Sequence, residues 1–497
     1  MKPSASRFVV KNTVLMTVGL FAGRILAFLV FRRLTGAAGT AGTGVWGTAV
    51  DLTTIILTVS NFGLGALITR EAVKRRDRTA SLFWAALRIR GLLGLVTYGL
   101  LVVYVTLTGF DPPTRAAILV MALGVFLESS AMAADSILQA HEKVQFQTAS
   151  QLVSAVVYFG LAWWWLDAGY GLMGVVWANV ASRLARLLVI VPLMVRHCGP
   201  WRRVPGDGVS MWWLARLGLP VFASTTFGIV SYRVDTVMIM EMLGKVGAGI
   251  YTIGHRLLDL MLILPNIVGL AMFPSLQRYR EHATQADVER MGERALRYLH
   301  LTMFPLALAS ALAAAPLIHV IAESGHLGPS IRVFRIVVWG LPIQAASHVY
   351  NRLLIAVGRE RSFVKISLAA MVTNVSLNLA LIPRFRWYGA AAATICSLLL
   401  SQVLYRREVT RSGLRVPWRR AQVGGSTAAL IAWLAAAGAV RLVLPGWGTG
   451  WGHWPDANWW IIIAMGLVYL PFYAAALRLL GVVDAEDLRV LRETFRR

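Results

Sequence analysis

Acidic residues are scarce in this chain: 24 Asp and Glu stand against 49 Lys and Arg, a formal net charge of +25. The excess does not read as a nucleic-acid surface, which needs its basic residues gathered on one folded face. Here Lys and Arg collect in the gaps between apolar runs, so no nucleic acid is expected as a partner. Cysteine is nearly absent. Cys198 and Cys396 are the two, neither with metal-ligand spacing around it, and they read as small buried thiols instead of a disulfide framework or a metal site. The chain also lacks a GxxxxGK[ST] phosphate loop, which argues against transport driven by its own ATP hydrolysis. Low-complexity linkers are missing outside one short stretch near residue 200.

What the chain has is apolar sequence. It is 57% hydrophobic and only 15% charged over 497 residues, and runs of about 20 apolar residues recur along most of its length. In lipid each backbone polar group must be satisfied within its own segment, and these runs are too long and continuous for barrel strands. The expected fold class is therefore an all-α polytopic membrane protein with about 14 transmembrane helices. The runs lie near residues 8–34, 41–67, 82–107, 115–138, 147–167, 172–195, 212–240, 247–273, 298–322, 331–352, 363–383, 388–405, 422–444 and 459–480. No cleavable signal peptide is expected, because the first run is too long and is interrupted by Arg24. Most Lys and Arg fall at the N-terminus, in alternate gaps and in the tail, which predicts both termini on the cytoplasmic side. Trp163, Trp164 and Trp165 end the fifth run, and Trp459 and Trp460 begin the last, where amphipathic rings favour the outer interface.

Two internal copies are visible. The bend Leu34-Thr35-Gly36 to Gly47 resembles Leu243-Gly244 to Gly254. Likewise Ile137-Leu138-Gln139-Ala140-His141-Glu142-Lys143 resembles Leu354-Ile355-Ala356-Val357-Gly358-Arg359-Glu360-Arg361. Six spans separate the copies, and an even number predicts parallel repeats about an axis along the membrane normal. The expected organisation is an N-terminal six-helix lobe over 1–200, a C-terminal six-helix lobe over 201–420, and helices 13 and 14 with a cytoplasmic tail over 421–497. Residues 279–297 read as a short surface helix leading into the ninth span.

Gly42-Thr43-Gly44-Val45-Trp46-Gly47 formally satisfies a dinucleotide fingerprint, but no strand precedes it and it opens a membrane span. Close helix packing explains these glycines better, since small residues let helices approach in lipid. The intramembrane charges carry the functional reading. Arg24 lies about ten residues from the far end of the first run, too deep to snorkel easily, and so marks a protein interior or a wet cavity. Asn179, Arg183 and Arg186 fall at i, i+4 and i+7 on one face of the sixth span, which holds no acid; they call for a ligand anion or an acid on another helix. Arg256 and Asp259 are three apart and can pair with each other. Arg233 and Asp235 are two apart, point to different sides, and each needs a partner elsewhere. Asp51 and Glu128 lie mid-span, and Asp135 nearer the cytoplasm. Asp51 can pair with Arg24 or take up a proton or cation. Asp51, Glu128, Asp235 and Asp259 are thus candidates for charge pairing or ion coupling, with no metal site expected.

The order Gly23-Arg24-Ile25-Leu26, Arg33-Leu34-Thr35-Gly36, Val45-Trp46, Asn61-Phe62-Gly63-Leu64 and Thr69-Arg70-Glu71-Ala72 resembles the N-terminal hairpin of polysaccharide flippases. These are the Wzx-type members of the multidrug/oligosaccharidyl-lipid/polysaccharide exporter superfamily, with sporulation-type and lipid II flippases as close relatives. The resemblance implies a pair of lobes around a central cationic cavity. It also implies alternating access that passes a polyprenyl-pyrophosphate-linked oligosaccharide from the inner to the outer leaflet of the bacterial cytoplasmic membrane. A pyrophosphate is anionic and guanidinium suits bidentate phosphate contact, so Arg24, Asn179, Arg183, Arg186, Arg233 and Arg256 are the candidate substrate-binding residues. No bond is made or broken, so no catalytic residue and no cofactor are expected, with proton or sodium coupling left open. The partners implied are the lipid-linked oligosaccharide, membrane lipids and other polysaccharide-assembly proteins, with the chain itself a monomer. Three alternatives stand beside this reading. A lipid II flippase shares its chemistry. A cation-coupled multidrug exporter would want an acidic cavity. A membrane glycan ligase or polymerase would need a large outer loop or a convergent acid and base set, whereas the longest outer gap runs only from Pro445 to Asn458.

Overall fold

The computed structural model describes residues 3–74, 76–198, 210–262, 284–322, 327–359, 361–416, 424–435 and 459–479. Among them the regular elements are helices: α1 (Pro3–Asn61), α2 (Leu64–Lys74), α3 (Thr79–Leu107), α4 (Pro112–Ala140), α5 (Val144–Asp167), α6 (Gly171–His197), α7 (Met211–Met261) and α8 (Gln285–Leu312). They continue with α9 (Ala314–Ile321), α10 (Leu327–Val337), α11 (Gly340–Ala356), α12 (Ser362–Phe385), α13 (Trp387–Arg411), α14 (Gly424–Ala435) and α15 (Trp459–Leu479). Nine of the described helices are long and apolar enough to cross a membrane. The protein is a multi-pass membrane protein.

Two of the nine are far too long for one crossing. At 59 and 51 residues, α1 and α7 exceed about twice the ~20 residues that a bilayer core requires. Each breaks once, at Gly39 (φ 64°, ψ −171°) in α1 and at Gly244 (φ 74°, ψ −174°) in α7. A side chain at either position would be strained by the positive φ, and glycine is not. The glycine-rich bend expected over residues 34–47 is therefore concentrated in one residue, and the first and second predicted spans share α1 as the seventh and eighth share α7.

The other repeated bend also has one geometry in both copies. After α4, the amide of Lys143 donates to Leu138 O (2.8 Å) and that of Glu142 to Gln139 O (3.1 Å). After α11, Arg359 donates to Leu354 O (2.9 Å) and Gly358 to Ile355 O (3.1 Å). Glu142 and Gly358 both have positive φ, as the residue closing such a helix end requires.

Elsewhere the sequence-based limits shift. From Gln285 on, the surface helix expected over 279–297 runs straight into the ninth span as one helix, α8, opened by a capping box from Thr284 and Asp287, and α9 carries the rest of that span. The tenth span is divided between α10 and α11. The linker at 199–209, the end of the eighth span at 263–273, the second half of the thirteenth at 436–444 and the tail from 480 lie outside the described residues.

The chain forms two compact units: Met1–Thr252 with Ile321–Gly325 and Ser367–Ala390, and Ile253–Val320 with His326–Ile366 and Ala391–Arg497. In the first, α1 packs on α4 and α5, and α4 on α6. Leu64 and Ile68 of α2, Phe83 and Ala86 of α3, Ile137 of α4, and Ile190 and Met194 of α6 share one buried core. In the second, α14 and α15 pack through Ala428, Ala432, Tyr469 and Tyr473 on Leu308 of α8, and the Tyr473 hydroxyl donates to Leu301 O at 2.7 Å.

Candidate functional site

The first group of charges lies within the α3–α4–α6 bundle. Asn179, Arg183 and Arg186 share a face of α6, and the acids absent from α6 are supplied by α4. Arg186 donates from Nη1 to Glu128 and from Nη2 to Asp135, and Asp135 and Arg186 are both buried. Arg90 of α3, at 1% exposure the largest fully buried side chain among the described residues, donates to Ser129 O (2.9 Å) and to Asn61 Oδ1 (2.6 Å). Arg183 closes over Gly124, where an added Cβ would stand 2.8 Å from Arg183 Cδ. Arg183 Nη1 and Asn179 Oδ1 are buried with no hydrogen-bond partner among the described residues. This cluster thus sets Arg90, Arg183 and Arg186 against Glu128 and Asp135, and Arg186 is the one most completely engaged.

A second group joins α1 to α7. Arg233 donates to Asp51 Oδ1 at 3.2 Å, with side-chain exposures of 19% and 9%, and its guanidinium lies 4.9 Å from the Tyr232 ring centroid. Asp235, two residues on, turns the other way as its spacing requires. It accepts from Asn378 Nδ2 of α12 (2.6 Å) and from the Tyr251 hydroxyl (2.8 Å), and Asn378 Nδ2 also meets Asn374 Oδ1 at 3.0 Å. Arg24, on the arm of α1 before Gly39, is exposed. In the second compact unit Arg256 Nη1 lies 3.8 Å from Asp259 Oδ2, and His255 Nδ1 4.0 Å from Asp259 Oδ1. Arg256 keeps 24% side-chain exposure.

The arms that follow the two broken glycines meet backbone to backbone. A Cβ on Gly44 would stand 2.0 Å from Lys245 O, and one on Gly249 would stand 1.9 Å from Thr40 O. A Cβ on Gly47 would fall 2.2 Å from Thr252 Oγ1. Thr40 is to Lys245 as Gly44 is to Gly249 and Gly47 to Thr252: each pair has the same sequence offset, so the crossing is a local pseudo-two-fold contact between repeated segments. Beside it Lys245 Nζ pairs with Asp111 Oδ1 at 2.7 Å, and the Tyr104 hydroxyl donates to Glu241 Oε1 at 2.6 Å. Lys245 and the Thr114 hydroxyl hold the Asp111 carboxyl below its usual range.

Several of these residues escaped sequence reasoning. Arg90 lies inside the third apolar run, 82–107, where an arginine marks an interior partner. Asn374 and Asn378 sit one turn apart on an apolar helix, a polar stripe that signals an interior partner.

The pattern of the polysaccharide biosynthesis protein family matches residues 9–280, more than half of the chain. The chain belongs to that family. A second pattern, MatE, matches residues 220–380, which places this family member in the multidrug/oligosaccharidyl-lipid/polysaccharide exporter superfamily. Among curated proteins, the chain is 26% identical over 188 residues to "Probable flippase AglR" of Haloferax volcanii, covering 37% of this chain and 39% of that protein. The match spans about two fifths of the relative's length. Among solved structures the fold is similar to lipid II flippase MurJ in an inward closed conformation, with TM-score 0.77 and 14% identity over 94% of this chain and 99% of that one. It is also similar to the MATE multidrug transporter DinF-BH (TM-score 0.63, 16% identity, 82% and 97% coverage) and to a MOP superfamily transporter of Pyrococcus furiosus (0.59, 12%, 82% and 96%).

Proposed function

We propose that this family member is a transporter, not an enzyme, that flips a polyprenyl-pyrophosphate-linked oligosaccharide from the inner to the outer leaflet of the cytoplasmic membrane. It does so by alternating access of the lobes 1–200 and 201–420, with both termini in the cytoplasm. One observation carries the reading: Arg24, Arg233 and Arg256 ride on membrane-crossing helices yet keep access to their surroundings, Arg24 exposed and the other two at 19% and 24%. Guanidinium on an apolar helix must face water or an anion, and phosphate oxygens fit its donor fork. Arg183, with its Nη1 unmatched, is a further candidate, whereas Arg186 already holds two carboxylates. Family membership and the flippase named among the relatives support the same reading. Net basic helices weigh against an organic cation as cargo.

Lipid II carries the same pyrophosphate and sugar chemistry, so it enters as one arm of the test. Ion coupling, by proton or sodium, falls in this reading to Asp235 with Asn374 and Asn378. The experiment compares binding of a polyprenyl-pyrophosphate sugar, lipid II and a cationic dye to purified protein. The pyrophosphate ligands are expected to bind and the dye to be excluded; preference for the dye would overturn the reading.

A further inference from the structure

Arg233 is not an empty cation awaiting a ligand. Asp51 meets it at 3.2 Å, and the carboxylate is the more enclosed partner, at 9% against 19% exposure. A carboxylate and a phosphate oxygen offer a guanidinium the same kind of acceptor, and one donor edge cannot serve both in full. We propose that Asp51 is the resident anion of Arg233: it neutralises the guanidinium in the ligand-free protein and yields it to the phosphate of the cargo. The inference rests on the phosphate-bearing cargo proposed above and assigns Asp51 a role in setting its affinity.

The placement of Asp51 gives the exchange a consequence. Thr40, Gly44, Gly47 and Asp51 follow one another at helical spacings of four, three and four, so they form one stripe along the second arm of α1. The first three meet α7 beyond Gly244, where backbones touch at Gly44 and Gly249. The fourth meets α7 before Gly244, through Arg233. The stripe is thus tight and uncharged at one end and fastened by a charge pair at the other. An anion that takes Arg233 from Asp51 removes that fastening one turn from the glycine crossing. Affinity for the cargo is lowered by the fraction of protein in which Asp51 holds the arginine, which suits a carrier that must release what it binds.

Binding of farnesyl pyrophosphate to the purified full chain tests this. Asp51→Asn is expected to bind the probe about three- to ten-fold more tightly than wild type. Asp51→Glu, which keeps the charge, should stay within about two-fold. In an Arg233→Gln background, adding Asp51→Asn should change binding by less than about two-fold, because the exchange has lost its other partner. Unchanged or weaker binding by Asp51→Asn would overturn the proposal. So would equal tightening without Arg233, since Asp51 would then act only through its general field. Should Asp51→Asn alone fail to fold, the Arg233→Gln single and the uncharged double variant decide the matter by that last comparison. Failure of wild type to bind the probe would overturn the cargo reading itself, whereas binding that Asp51→Asn leaves unaltered overturns only the exchange.

Discussion

Removing the guanidinium of Arg186 strands two carboxylates, Glu128 and Asp135, in the α4–α6 interface. Breaking a buried pair from one side costs about 3–5 kcal/mol, so Arg186→Met is expected to lower the unfolding midpoint sharply. The conservative Arg186→Lys, which keeps a cation between the two carboxylates, should recover part of it. Thermal unfolding in detergent checks both, and an unchanged midpoint in the single variant contradicts this assignment. Arg183 is then the better probe of ligand contact on α6: Arg183→Ala should weaken pyrophosphate binding without the stability loss of Arg186→Met, as titration and melting together would show. The charges themselves were legible in the sequence, down to the shared face of residues 179, 183 and 186. Their partners were not. Glu128 and Asp135 are seven apart and so share a face of α4, but only the packing of α4 on α6 makes that face meet Arg186. The same holds for Asp51, which meets Arg233 from 182 positions away.

At the scale of the helices, the repeated bends were readable because glycine with positive φ leaves a mark in sequence. Where the break falls was not, since the neighbouring glycines keep helical backbone angles and only Gly39 and Gly244 depart from them. The false dinucleotide fingerprint has its explanation here: Gly44 and Gly47 are small because α7 runs against them. Gly44→Val and Gly249→Val should therefore separate α1 from α7 while the protein still inserts. Disulfide trapping between Asp111→Cys and Lys245→Cys, now an ion pair at 2.7 Å, reads the separation. Trapping should be fast with both glycines present and slow in either valine variant, and equal rates would contradict the crossing. The ion pair also has a pH signature. Because its Lys245 and Thr114 partners depress the folded Asp111 pKa, its contribution is complete above the unfolded carboxylate pKa and fades as pH falls through the lower folded value. The pair is exposed, so that contribution is small, and acid should loosen this contact without unfolding the chain.

For the whole molecule, hydropathy alone fixed the class, because lipid admits few ways to satisfy a backbone. The division of α1 and α7 into two spans each followed from length. The cargo rests on finer evidence, namely arginines placed on apolar helices and a family that groups polysaccharide biosynthesis proteins. The decisive measurement is transport by purified protein in vesicles loaded with a fluorescent polyprenyl-pyrophosphate sugar, with a cationic dye run in parallel. Wild type should move the sugar lipid between leaflets and leave the dye, and Arg24→Ala and Arg233→Ala should lose about ten-fold or more of that rate while remaining folded. Movement of the dye without the sugar lipid, or arginine variants that flip as fast as wild type, would contradict the account.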